Sequence, residues 1–236
     1  MDTQTRHALK GDKFAQATKT SVNWVSENRS GVVRWAISVA VVVVICLGAG
    51  IFYVMRSSAA DTALGAAMDT YAAPLAEPGA PAQKGIYATA GERSKAANQQ
   101  FVAVAQQFGW LPDGAKAHYF AGVTYADLGQ NGQAETELNK AAGSWNHGVA
   151  NLAKIALAGL YHQTGRDPQA IDLYNAVIAK PSVTVPGTSA QLSLAELYVE
   201  EGKQDQARAI WAKVEDSDKT GAAGEIATQK LTAGKQ

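Results

Sequence analysis

Residues 151–177 read NLAKIALAGLYHQTGRDPQAIDLYNAV, and the spacing within this stretch occurs twice more in the chain. Counting from Tyr161, a glycine follows at +4, an alanine at +9, a large side chain at +13 and a smaller apolar residue at +16. The same offsets from Tyr125 and Tyr198 carry residues of the same classes, and the tyrosines are 36 and 37 residues apart. Self-similarity at such a period indicates stacked repeats of one helical unit.

Each repeated position has a physical reason. The tyrosine ends a first helix, and the glycine after it permits the left-handed conformation that closes that helix. The alanine lets the second helix approach the first, and the large residue fills the space between repeats. The pattern predicts first helices at 115–129, 151–165 and 189–202, and second helices at 131–143, 167–179 and 203–215.

Three further helices are expected outside these repeats. Residues 94–108 resemble a degenerate earlier second helix, residues 60–73 are its expected partner, and residues 221–233 are an expected terminal cap. A linker rich in Pro, Gly and Ala covers residues 73–91. The sequence therefore predicts an all-α fold in which an N-terminal transmembrane helix precedes an α-solenoid of about three to four helix pairs.

The tyrosine–glycine–alanine–aromatic spacing resembles the tetratricopeptide repeat, whose usual period is about 34 residues. The resemblance covers residues 115–215, and the repeats are longer here because of loops such as SWNHG and KPSVTVPG. It implies a protein that binds other polypeptides.

The run Trp35–Met55 contains 21 residues without a charge, closed by Arg34 and Arg56. A helix of this length spans the roughly 30 Å hydrocarbon core of a bilayer. A buried core helix and a cleaved signal peptide are the alternatives. The lack of a polar face disfavours the first, and the 34 preceding residues disfavour the second.

Basic residues predict the orientation of this helix. Six Lys or Arg residues precede it, whereas Arg56 alone lies within the next twenty or so residues. The N-terminus is therefore expected in the cytoplasm and residues 57–236 in the periplasm of a bacterial inner-membrane protein. Residues 9–25 fit either an interfacial helix or a disordered basic tail.

These observations predict five segments. They are a basic cytoplasmic tail (1–34), a transmembrane helix (35–55), membrane-proximal helices with a linker and a degenerate repeat (56–114), tetratricopeptide-like repeats (115–218) and a capping helix (219–236).

No residue pattern indicates catalysis. The lone Cys46 lies inside the apolar run, the four histidines form no metal-ligand spacing, and His118 is expected to be a packed side chain. We therefore expect no enzymatic activity, no cofactor, no metal and no small-molecule substrate. The formal net charge of zero also gives no reason to expect nucleic acid.

In tetratricopeptide arrays the first helices line the concave face, and the resemblance places mostly apolar residues there. A basic clamp for a C-terminal carboxylate is missing, so a helix or a non-native segment is the expected occupant. The alternative is that residues 60–73 or the capping helix occupy the groove. The expected groove residues are Lys116, Tyr119, Val123, Leu152, Ile155, His162, Leu192, Glu196 and Val199.

One signal anchor followed by a trailing repeat array resembles the YfgM-type family of ancillary Sec translocon subunits. This resemblance implies a membrane-anchored periplasmic scaffold that binds translocon-associated subunits or exported clients in a chaperone-like role. The alternative is an assembly factor for an envelope complex, such as cytochrome maturation or outer-membrane assembly.

Overall fold

The computed structural model describes residues 29–77 and 85–233, and these residues form nine α-helices and no strand. Leu75 and Tyr87 form an isolated bridge within the linker. The helices are α1 (Arg29–Tyr71), α2 (Ala90–Phe108), α3 (Pro112–Asp127), α4 (Asn131–Ala142), α5 (His147–Gln163), α6 (Asp167–Ala179), α7 (Gly187–Glu200), α8 (Gln204–Ser217) and α9 (Ala222–Ala233).

The chain divides into two compact units, Met1–Met55 and Arg56–Gln236. In the first unit the described residues belong to α1, which is long and apolar enough to cross a membrane, and none of its most apolar window is buried. The prediction for residues 9–25 and most of the predicted tail lie outside the described residues.

In the second unit, residues 56–71 of α1 pack against α2 and α3. Leu64 lies in one buried cluster with Phe101 of α2 and Ala121 of α3. Asn98 donates hydrogen bonds to the Ala121 carbonyl (3.1 Å) and to Thr124 Oγ1 (3.0 Å), so its buried amide nitrogen is satisfied. Residues 60–73 thus lie beside the helix that the sequence suggested as their partner.

The second helices of the repeats lie close to where the sequence placed them, whereas the first helices begin earlier. Helix α3 begins at Pro112 rather than residue 115, inside the segment predicted as 56–114. Proline suits this first helical position because its missing N–H would have no partner there. Helix α5 begins at His147 rather than residue 151, because the Asn146 side chain accepts hydrogen bonds from the Gly148 and Val149 amides.

The repeat glycines close the first helices as predicted. Gly129, Gly165 and Gly202 have φ values of 70°, 73° and 76°. In the first repeat the Gly129 amide donates to the Ala126 carbonyl and the Gln130 amide to the Tyr125 carbonyl, both at 2.9 Å. The other two glycines repeat this pair of bonds. This is a Schellman ending, and the repeated tyrosine supplies the carbonyl that accepts its longer bond.

Small residues allow each second helix to approach its first helix. Ala134, Ala170 and Ala207 are fully buried. On the facing side, a Cβ added to Gly122 of α3 would lie 2.5 Å from Cγ of Leu138 on α4, so the two helices pack without space for a methyl group. Buried clusters of this kind follow one another along the second unit, as expected for a solenoid.

The last helix, α9, covers the end of the array. Ala227 of α9 is fully buried in a cluster with Trp211 and Val214 of α8 and Ala195 of α7. The helix predicted to cap the array within 219–236 therefore packs where a further first helix would lie.

Candidate protein-binding face

Three of the predicted groove residues surround one cavity between α3 and α5. Lys116, Tyr119 and Leu152 line this space of about 250 Å³. Phe120 and Val149 add apolar surface, and the remaining wall consists of Asn146, Gly148 and Thr184. We call this the α3–α5 cavity. Its lining combines aromatic and aliphatic side chains with a few polar groups, so its surface is mainly apolar.

Two side chains of α3 define the character of the cavity. The Tyr119 ring packs edge-on against Phe120, with 5.0 Å between ring centroids, and burial raises the pKa of its hydroxyl. Tyr119 is therefore neutral at physiological pH. Lys116 is exposed, and its amine lies 2.9 Å from Asp113 Oδ1. The Lys116 ammonium group and the neutral Tyr119 ring therefore line the same cavity.

Val123 and Ile155 lie deeper than a surface groove requires. Val123 is half-buried against the cluster that includes Leu138 of α4 and Leu157 of α5. Ile155 is half-buried against the clusters that link α5 to α6 and α7. Both side chains therefore contribute to packing between helices, and their role in binding stays a prediction.

His162 joins two repeats through two carboxylates. Its Nδ1 lies 2.6 Å from Asp167 Oδ1 at the start of α6, and its Nε2 lies 2.6 Å from Glu200 Oε2 at the end of α7. The hydrogen bond with Glu200, followed by that with Asp167, raises the pKa of the imidazole above its usual value. The imidazole is therefore a pH-dependent connection between the second and third repeats.

The predicted groove residues of α7 lie beside α9. Leu192 and Val199 pack against the cluster that contains Ala227, and Leu231 of α9 packs against the same cluster. Glu196 forms a 2.7 Å ion pair with Lys230 of α9. On α7, therefore, the arrangement is the one expected if the capping helix occupies the groove. No helix covers the α3–α5 cavity in this way among the described residues.

The sequence did not identify Phe120, Val149 or Thr184 as neighbours of the groove. Phe120 directly follows Tyr119 in the sequence. The repeat positions assign one face of the helix to the groove, and adjacent residues of a helix do not share a face, so these positions exclude Phe120. Thr184 comes from the loop KPSVTVPG, where it approaches α5 so closely that a Cβ at Gly148 would lie 2.6 Å from its Oγ1. The sequence shows that this loop is unusually long, but the loop's conformation depends on tertiary contacts that the repeat spacing does not predict.

The packed position expected for His118 agrees with its surroundings. Its Nδ1 is hydrogen-bonded with Glu137 of α4, and both side chains are largely buried. Burial acts to raise the pKa of the Glu137 carboxyl, but hydrogen bonds from Lys140 and His118 together lower it. Within residues 29–77 and 85–233, no group of three or more His, Cys, Asp or Glu side chains is arranged to hold a metal ion.

A family model described as tetratricopeptide repeat matches residues 188–213, which cover nearly all of α7 and most of α8. The chain is tetratricopeptide-like. The match falls on the third of the three repeats that the tyrosine spacing defines. Comparison with curated proteins gives no match. Because tetratricopeptide repeats generally mediate contacts between proteins, the repeat and its geometry support a protein-binding scaffold.

Proposed function

We propose that this chain is a membrane-anchored periplasmic scaffold that binds protein partners near the Sec translocon and has a chaperone-like role toward exported chains. The α3–α5 cavity carries the binding part of the proposal, because Tyr119, Leu152 and Val149 present apolar surface on the face formed by the first helices. The apolar helix α1 supports the anchor. The Sec association follows from the resemblance of the architecture to the YfgM-type family.

The proposed activity is binding, not catalysis. The cavity contains a neutral tyrosine, aliphatic side chains and a lysine that is paired with Asp113. These groups suit an apolar side chain of a bound segment, with Lys116 able to contact a backbone carbonyl or an acidic residue. Tethering by α1 would hold the face at a high local concentration, so moderate affinity suffices.

Site-specific photo-crosslinking in intact membranes tests this proposal. The crosslinking amino acid replaces Lys116, which is exposed at the cavity. The matched control position is Gln169, which is exposed on the second helix α6. We expect a discrete protein adduct from position 116 and none from position 169. Equal adducts at both positions, or none at position 116, would contradict binding at the cavity.

The identity of the adduct separates the proposed function from its alternative. A translocon-associated subunit or a range of exported proteins would support the Sec-linked role. A single component of a cytochrome-maturation or outer-membrane assembly complex would instead support an assembly factor. Replacing Leu152 with Glu should reduce the adduct from position 116, because a carboxylate would then face the apolar wall.

A further inference from the structure

Exposed apolar side chains are concentrated in the loops that lead from each second helix to the next first helix. Outside α1, the described residues include five large apolar side chains that are exposed, and three of them lie in these loops. Trp110 precedes α3 and is 56% exposed, Trp145 precedes α5 and is 73% exposed, and Val183 precedes α7 and is fully exposed. We call the edge formed by these three loops the tryptophan edge.

Contacts place the three loops side by side. Trp110 and Trp145 line the same cavity of about 390 Å³. Thr184, the neighbour of Val183, lines the α3–α5 cavity together with Asn146, the neighbour of Trp145. The tryptophan edge is therefore continuous across successive repeats.

The opposite edge of the array has a different composition. Its turns contain the positive-φ glycines, and the residue after each of these glycines is Gln130, Arg166 or Lys203. No large exposed apolar side chain occurs in these described turns. Among the described residues at this edge, Leu75 in the linker between α1 and α2 is 44% exposed. Both exposed indole rings of the second unit lie at the other edge, and this concentration of exposed apolar surface indicates a contact there.

The second unit begins at the tryptophan edge. The Arg56 guanidinium donates a 3.0 Å hydrogen bond to the Gln107 carbonyl and lies 4.7 Å above the Phe108 ring. These two residues end α2 and are followed almost at once by Trp110. In the sequence, Arg56 also follows directly on the uncharged run 35–55. A chain that leaves a bilayer at residue 56 therefore enters the second unit at this edge.

Charges at the tryptophan edge are mixed. Lys140 pairs with Glu137 at 2.8 Å, whereas Lys180 is exposed at the end of α6. In the neighbouring loop after α8, Lys219 pairs with Asp216 at 3.0 Å. Such a surface has no strong attraction for a polyanion. Tryptophan, however, is the side chain most suited to the boundary between lipid headgroups and acyl chains, because its ring is large and apolar and its N–H stays hydrated.

We infer that the tryptophan edge rests on the surface of the lipid bilayer, with Trp110, Trp145 and Val183 at the headgroup boundary. This inference rests on the membrane anchoring in the proposed function and adds a second, non-spanning contact with lipid. Each contact is weak alone, because a single side chain at the interface binds a bilayer only reversibly. The anchor strengthens the contacts, because it holds the edge close to the bilayer surface. The contact fixes which face of the repeats points away from the bilayer.

Quenching by brominated lipid tests this inference in the full chain. The background variant has Phe at Trp24, Trp35, Trp110 and Trp145 and keeps Trp211, which is buried in the last repeat. Trp110, Trp145 or Trp35 is then restored one at a time. The matched control adds Gln130→Trp to the background, which places an exposed ring on the opposite edge. All variants are reconstituted in phosphatidylethanolamine–phosphatidylglycerol vesicles, with and without brominated acyl chains.

We expect brominated lipid to reduce the emission of the variants that restore Trp110 and Trp145 and to leave the Gln130→Trp variant unchanged. Equal quenching of the rings on the two edges would overturn the inference, as would no quenching at Trp110 and Trp145. An edge that binds a protein partner and not lipid would also leave Trp110 and Trp145 unquenched, because these vesicles contain this chain alone. The restored Trp35 separates the two proposals. Quenching of Trp35 alone rejects the edge contact and keeps the anchor, whereas no quenching at any position rejects both.

Discussion

Replacing Gly122 with Ala tests the close packing of α3 on α4. The new Cβ would lie 2.5 Å from Leu138 Cγ, 2.8 Å from its Cδ2 and 3.1 Å from its backbone nitrogen. Leu138 is buried, so relieving this contact requires its side chain or the α4 backbone to shift within the packed interior. We expect an overpacking cost of about 1–3 kcal/mol in the free energy of unfolding. The higher helix propensity of alanine offsets up to about 1 kcal/mol of this cost.

Gly159→Ala is the matched control on α5. No atom lies within 4 Å of a Cβ at Gly159, so the gain in helix propensity is the remaining effect. We expect this variant to be more stable than the parent by about 0.5–1 kcal/mol. Because the propensity gain is common to both variants, their difference isolates the clash with Leu138, about 1–3 kcal/mol.

Thermal unfolding of the full chain in detergent micelles, followed by circular dichroism, measures both variants. For a unit of this size, 1 kcal/mol corresponds to a change in the midpoint of roughly 2–4 °C. Gly122→Ala should therefore melt below Gly159→Ala, which should melt at or above the parent. If both substitutions raise the midpoint equally, α3 and α4 do not pack at Leu138 as described, and the repeat register is wrong.

Two further predictions concern particular contacts, and a third concerns the orientation of α1 in the membrane. His162→Gln should lower the unfolding midpoint most at about pH 6, where the imidazole of the parent is charged. The loss should shrink as the pH rises past the raised pKa of the folded state, because the imidazole of the parent then loses its proton. A pH-independent loss would contradict this. In the background variant that keeps Trp211 as its one tryptophan, Ala227→Glu should detach α9 and shift Trp211 emission to longer wavelength, whereas Ala222→Glu, at an exposed position of α9, should not. Equal spectra would contradict the cap. In a Cys46→Ser background, a membrane-impermeant maleimide added to cells with a permeabilised outer membrane should label Gln229→Cys and spare Thr5→Cys; the reverse labelling would contradict the orientation.

The repeat pattern predicted the turns and second helices because their determinants are local. A glycine that must adopt a positive φ, and an alanine where two helices touch, can be recognised from one sequence. Gly165 and Ala170 show this, since one has a φ of 73° and the other is fully buried. The start of α3 was misplaced although Pro112 was a readable signal, because the repeat offsets were counted from the tyrosine and not from the cap.

Which groove residues are covered could not be read from the same offsets. Tyr119 and Leu192 occupy related positions in their repeats, yet one lines the α3–α5 cavity and the other packs beside α9. The difference comes from the end of the array, since a first helix without a following repeat leaves apolar surface that a cap must bury. The position of a residue in the array therefore matters as much as its position in the repeat.

The α3–α5 cavity and the tryptophan edge share the same loops, so binding at one can affect the other. Asn146 and Thr184 line the cavity, while their neighbours Trp145 and Val183 project from the edge. A segment bound in the cavity would touch the loops whose tips rest on lipid. If binding changes how these loops sit, the affinity for the segment and the contact with the bilayer must affect each other equally, since linkage is reciprocal. The Trp145 quenching experiment, repeated with a crosslinked partner at position 116, would therefore measure this coupling directly.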